Sequence, residues 1–272
     1  TNALATYNVC FQGTPIFIAG TKDPVFVCLH GAGHSAQSFA CYAGQIKKFA
    51  TAIAFDFRGH GMSKVASDPS NLDGNVLVED SLKVFEWVNK KYPDSTIIVV
   101  GTGTLLLNSL NFKFYLTSMG GSIATMATDK ALQMKDSPLA SRIQGLAFVI
   151  SSTADISNSF NTGMLIIDVV EGTAIEALPF METIVSLDQR ASLRWTKPST
   201  GRKNGYHAMI YDHIFMRYKT GVVKNRLSAK VSIPPQLVEK KISEDKSEWV
   251  WKVDLMASEK YWMGNLYTRE IA

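Results

Sequence analysis

The amino-acid sequence predicts an α/β fold, a mainly parallel, twisted sheet with helices on both faces and an inserted cap. Three observations predict it. Short apolar runs of buried-strand type alternate with segments of helical period; two of those runs lead directly into glycine-rich loops; and the pattern loosens beyond about residue 172.

The first run, Pro24-Val25-Phe26-Val27-Cys28-Leu29, is apolar at every step, as a strand covered on both faces must be, and it enters the loop His30-Gly31-Ala32-Gly33-His34. Residues 35–49 then place apolar side chains at helical spacing. Thr51-Ala52-Ile53-Ala54-Phe55-Asp56 reads as a second buried strand, entering the loop Phe57-Arg58-Gly59-His60-Gly61. Leu77, Leu82, Val84, Phe85 and Val88 give residues 76–92 one apolar helix face. Residues 95–100 form a third strand bounded by Gly101. Further on, Leu146-Ala147-Phe148-Val149-Ile150 and Leu165-Ile166-Ile167-Asp168-Val169 both read as buried strands, with a polar, turn-like stretch between them. The whole of 1–272 reads as one domain, with about 172–250 a cap-like region carrying Pro198, Pro234 and Pro235.

Composition narrows the possible partners. The chain has 28 Lys and Arg against 24 Asp and Glu, scattered without a basic run, so no nucleic-acid footprint is expected. No apolar run reaches transmembrane length, and no basic region followed by an apolar stretch marks a secretory signal, so no membrane partner is expected either. Cys10, Cys28 and Cys41 fit neither a zinc site nor a disulfide framework, which points to a reducing, intracellular compartment. The chain begins at Thr1 rather than Met, which suggests a missing N-terminal piece.

The most chemical stretch is Thr117-Ser118-Met119-Gly120-Gly121, followed by the helix-like run Ser122-Ile123-Ala124-Thr125-Met126-Ala127. It reads as an altered nucleophile elbow, the tight strand-to-helix turn that lifts a serine hydroxyl above the sheet in α/β-hydrolases. Glycine is needed two residues before and two after the serine, because a side chain there collides with the neighbouring strand and helix. Gly120 meets that need and Leu116 does not. The fold class is therefore α/β-hydrolase-like.

These residues resemble the protein phosphatase 2A methylesterases. The resemblance rests on His30-Gly31-Ala32-Gly33-His34-Ser35, Asp56-Phe57-Arg58-Gly59-His60-Gly61, Ser118-Met119-Gly120-Gly121 and Ile167-Asp168-Val169-Val170-Glu171-Gly172-Thr173-Ala174, in that order. The first three are shared by many α/β-hydrolases; the last is more particular. Ala229-Lys230-Val231-Ser232 and Glu259-Lys260-Tyr261-Trp262 are similar to the family's cap region and far edge. The resemblance implies hydrolysis of the methyl ester on the C-terminal leucine of the phosphatase catalytic subunit, which is the implied partner. It implies Ser118 as nucleophile, Asp168 as the acid that orients a histidine, and the amides of Ala32 and Met119 as the oxyanion hole. An intracellular location, cytoplasmic or nuclear, goes with it. The mechanism requires no metal or organic cofactor.

Plainer readings stand beside these. Ser118 is also suited to capping the helix that follows, and Asp168 to being a loop carboxylate at a strand end. His30 and His34 read as loop-shaping residues, since hydrolase triads run Ser, Asp, His along the chain. Arg58 and His60 read equally as substrate ligands or structural loop residues. Met126 and Met134, close to whole helical turns apart, read as core packing.

Three departures from the family set expectations for activity. Residues 102–117 separate Gly101 from Ser118, and the run Phe112-Lys113-Phe114-Tyr115-Leu116 is a candidate to replace the original strand in the sheet. A second strand precedes Asp168 where the family has one, and residues 188–215 also diverge. No residue fits the catalytic histidine. The family's lies beyond the Lys-Tyr-Trp segment, and His207 and His213 have surroundings unlike a strand-end loop. The expected protein is thus an incomplete or impaired serine esterase. The alternatives are a non-catalytic phosphatase-binding protein and an unrelated small-ester hydrolase.

Overall fold

A computed structural model describes residues 7–65, 68–102, 105–108, 113–116, 119–134, 137–151, 166–169, 225–243, 246–262 and 267–270. Twelve strands occur among them. β1 (Tyr7–Phe11), β2 (Thr14–Ala19), β3 (Val25–Leu29), β4 (Thr51–Phe55), β5 (Ile97–Thr102), β8 (Ile143–Ser151) and β9 (Ile166–Val169) form a seven-stranded sheet in the order β1-β2-β4-β3-β5-β8-β9. From β4 to β9 all neighbours are parallel. β1 and β2 form an antiparallel hairpin that adds to the edge of β4. Its turn, Gln12-Gly13, has φ of 49° and 82°, the two positive values that match a two-residue turn to the strand twist.

The parallel strands are joined by helices on both faces: α1 (Ala40–Ile46), α2 (Gly74–Lys91), α3 (Met119–Leu132) and the short α4 (Leu139–Arg142). The period-2 geometry of a strand sends successive side chains to opposite faces, and the core divides accordingly. Val25, Val27, Leu29, Ile97 and Val99 face Leu77, Phe85 and Val88 of α2 and Ile123 and Ala127 of α3. Cys28, Ala54 and Val100 face Ala36 and Phe39 on the other side. Phe85 is fully buried and contributes about 2–3 kcal/mol by removal from water. α2 starts where the Asp73 carboxylate accepts the Asn75 N–H at 2.9 Å, and Lys90 and Lys91 in its last turn complement the helix dipole.

The structure corrects the expectation for residues 112–116. β7 (Lys113–Leu116) does not enter the central sheet. It pairs antiparallel with β6 (Leu105–Asn108) and β12 (Tyr267–Glu270) in a separate three-stranded sheet. The reason lies in β5, which runs through to Thr102 with β3 on one edge and β8 on the other, so no edge remains for a substitute strand.

Much of the expected cap, residues 170–224, lies outside the described residues. Beyond it, α5 (Arg226–Ser232) is capped by Asn225, whose side chain accepts the N–H groups of Leu227 and Ser228, and it packs on α1. A hairpin of β10 (Leu237–Ser243) and β11 (Lys246–Trp251) follows, then α6 (Glu259–Trp262). Among the described residues no helix is long and apolar enough to cross a membrane.

Candidate active site

Parallel strands deliver their loops to one edge, and the two glycine-rich loops leave β3 and β4 side by side at the carboxyl ends of those strands. Two histidines tie them together reciprocally. His30, at the start of the first loop, accepts the Phe57 N–H of the second loop at Nε2 (3.1 Å), and its Nδ1–H donates to the Gly31 carbonyl (2.8 Å). His60, in the second loop, accepts the Gly33 N–H of the first at Nε2 (3.0 Å) and donates from Nδ1 to the Arg58 carbonyl (2.8 Å). A ring nitrogen that accepts from an N–H carries no proton, so both imidazoles are neutral. Both are fully buried, with ring centroids 5.0 Å apart. Burial holds His30 well below the ordinary histidine value and pushes His60 down to about 4. With every ring nitrogen committed, both histidines brace the loops, and neither offers a free base.

Asp56 makes a second tie between the same loops. Its carboxylate accepts the Ala36 N–H and the Met62 N–H, each at 2.8 Å, and burial pushes its carboxyl up against these two donors. Arg58 turns away from the site to donate to Asp80 of α2 at 2.6 Å, with both side chains largely buried. This is the structural role open to it in the sequence. From the C-terminal segment, the Lys252 ammonium donates to the Gly61 carbonyl, and the Leu255 side chain lies against Gly33.

Ala32 sits at the exposed tip of the first loop. The amides after it are committed, Gly33 to His60 and His34 to the Gly31 carbonyl; that of Ala32 has no acceptor among the described residues. Met119 is the first residue of α3, so its N–H is one of the four amides that a helix cannot satisfy internally. The start of α3 is pressed against the start of the first loop: a methyl group on Gly120 would come within 2.5 Å of the Leu29 carbonyl oxygen and 2.6 Å of that of His30. The two amides expected to form the oxyanion hole therefore belong to adjoining segments.

Asp168 lies in β9, in register with Ile150 and one rung past the pairing of Thr102 with Val149, at the same carboxyl edge of the sheet. Ser118, His207 and His213 lie outside the described residues. Gly101, which the sequence places at the end of the third strand and separates from Ser118 by residues 102–117, packs against Gly120 and Gly121. Sequence reasoning missed the reciprocal bracing by His30 and His60, although a His-Gly pair recurs in both loops.

No family model matches the chain. Among curated proteins it is 27% identical over 251 residues to the probable protein phosphatase methylesterase 1 of Caenorhabditis elegans, covering 92% of this chain and 52% of that protein. It is 29% identical over 244 residues to protein phosphatase methylesterase 1 of Schizosaccharomyces pombe, covering 88% and 54%. The chain thus spans about half the length of the curated relatives it matches. Among solved structures, E-2-(acetamidomethylene)succinate hydrolase aligns with a TM-score of 0.55 at 13% identity, over 96% of this chain and 73% of that one. A marine microorganism esterase aligns at 0.51 and 14% identity, over 94% and 74%. At such identities the structural likeness speaks for the fold alone. The fold is that of the α/β-hydrolases, and the sequence is similar to the protein phosphatase methylesterases.

Proposed function

We propose that this chain is a serine carboxylesterase that removes the methyl ester from the C-terminal leucine of the protein phosphatase 2A catalytic subunit, inside the cell, and that it turns over slowly. The observation that carries the reading is the 27–29% identity to named methylesterases along about nine-tenths of the chain. Ser118 attacks the ester carbonyl, and the amides of Ala32 and Met119 take the oxyanion that forms. The bond to the methoxy group then breaks and methanol leaves; water next attacks the acyl-serine and frees the carboxylate. Asp168 is the acid that would orient a histidine base; without one, water takes the serine proton and returns a proton to the departing methoxide. No histidine among the described residues fits that role, since His30 and His60 are committed and His34 is in the oxyanion loop. Slow turnover follows, because an unassisted serine is a poor nucleophile at neutral pH.

The test is methanol release from methyl-esterified phosphatase. The chain should release little, and Ser118→Ala none; equal release by the two would exclude Ser118 as nucleophile. The intervening residues 103–117 favour a second reading, a phosphatase-binding protein without turnover. Capture of the methyl-esterified catalytic subunit with no methanol from either chain would select it.

A further inference from the structure

The hairpin of β10 and β11 rests on the protein by one face: Leu237, Trp249 and Trp251 pack against Ala229 of α5 and the adjoining Ile233. Among the described residues no third strand joins this two-stranded sheet. Beyond Leu237, β10 is open to solvent. Glu239, Lys240 and Lys241 are exposed, and so are two aliphatic side chains, Val238 at 42% and Ile242 at 50%. An exposed strand edge that carries large aliphatic residues is a template for a further strand. Its lysines guard it against indiscriminate pairing, and the register shift between Lys241 and Ser243 ends the regular ladder.

The run Val238-Glu239-Lys240-Lys241-Ile242 is complementary to its own reverse. In an antiparallel pair of copies centred on Lys240, Val238 of each stands opposite Ile242 of the other, and Glu239 opposite Lys241. Two aliphatic pairs and two ion pairs then form at once. Only Lys240 meets its own kind, and the register within each hairpin sets Glu248 opposite it, so the central row of such a sheet runs acid, base, base, acid. Centring the pair on Glu239 or on Lys241 instead opposes Glu to Glu or Lys to Lys, and faces an aliphatic residue with lysine. Like charges directly opposite destabilise a ladder.

We infer that the outer edge of β10 is a self-association surface whose partner is a second copy of this chain, paired antiparallel about Lys240 so that the two hairpins form one four-stranded sheet. The paired residues are few, which places the contact among weak, reversible interfaces. Neither the edge nor its pattern depends on the esterase reading.

Sedimentation equilibrium of the full chain, at concentrations up to about 1 mM, should show monomer and dimer in exchange. Glu239→Lys and Lys241→Glu should each weaken the dimer at least about tenfold, because the two-fold repeats every substitution and sets like charges opposite one another. The double swap Glu239→Lys with Lys241→Glu restores both ion pairs and should bring the association back to within about threefold of the parent. The three positions are exposed, so each variant should keep the circular dichroism of the parent. In a Cys10→Ser, Cys41→Ser background, Lys240→Cys should oxidise to a covalent dimer, because directly opposed Cα atoms of an antiparallel ladder lie about 4.5–5.5 Å apart. Glu239→Cys should not, since its two copies are offset along the strands to roughly 8 Å. A chain that stays monomeric at every concentration would overturn the pairing. So would a dimer that Glu239→Lys leaves intact, a double swap that fails to restore it, or bridging through Glu239→Cys as fast as through Lys240→Cys.

Discussion

Acidification from pH 7 to pH 5 should weaken the fold through His60 in particular. The folded protein holds this imidazole neutral, with its Nε2 occupied by the Gly33 N–H and its pKa pushed down to about 4 from an ordinary 6.5, chiefly by burial. Lys252 and His34, from the C-terminal segment and the first loop, disfavour a proton there as well. The unfolded chain takes up a proton near pH 6.5 and the folded chain does not. Unfolding therefore binds protons between those two values, and stability falls as pH drops through that window, levelling off below about 4. At pH 5 the unfolded form is protonated and the folded form mostly is not, which amounts to about 2 kcal/mol from this one group. That is a large share of a stability typically about 5–15 kcal/mol. A proton on Nε2 would also set donor against donor at Gly33 and loosen the loop that carries Ala32. The assay is urea unfolding at pH 7 and pH 5 for the parent and for His60→Gln. The variant should start lower, having lost the bond, but fall about 2 kcal/mol less between the two pH values. Parallel pH slopes would refute the neutral, buried His60.

Three further outcomes follow from particular contacts. Arg58→Ala should destabilise by about 2 kcal/mol in the same urea assay, because the largely buried Asp80 carboxylate loses its 2.6 Å partner and keeps only exposed Lys83 at 3.4 Å. Asp73→Ala should cost about 1 kcal/mol by leaving the Asn75 N–H at the start of α2 uncapped. In a thiol titration with Ellman's reagent, exposed Cys10 should react in the folded chain, whereas Cys28, fully buried and with its thiol pushed up by that burial, should react only on unfolding.

Periodicity by itself determined the centre of this protein. β3, β4 and β5 were legible because an unbroken run of residues such as Val25 to Leu29 can be satisfied only by burial on both faces, and α2 was legible because its apolar residues recur once per turn. Those signals are contained within a few neighbouring residues. The β1–β2 hairpin went unread, although Gln12-Gly13 is a turn signal and Pro15 to Ala19 are an apolar run; only β1, at the edge of the sheet, lacks the continuous apolar character of its neighbours. The site was legible as a set of residue types and not as an arrangement. Ala32, Met119 and Asp168 could be nominated from motifs, but only the tertiary structure brings the Ala32 loop against the start of α3 and sets Asp168 at the same edge of the sheet. It also decided that β7 has no place beside β5, that Arg58 serves α2, and that Gly101 meets Gly120 across the residues between them. These depend on which sheet edges are already taken and on which backbone groups reach an imidazole or a glycine. Such contacts join residues tens of positions apart, where no local period or turn preference records them.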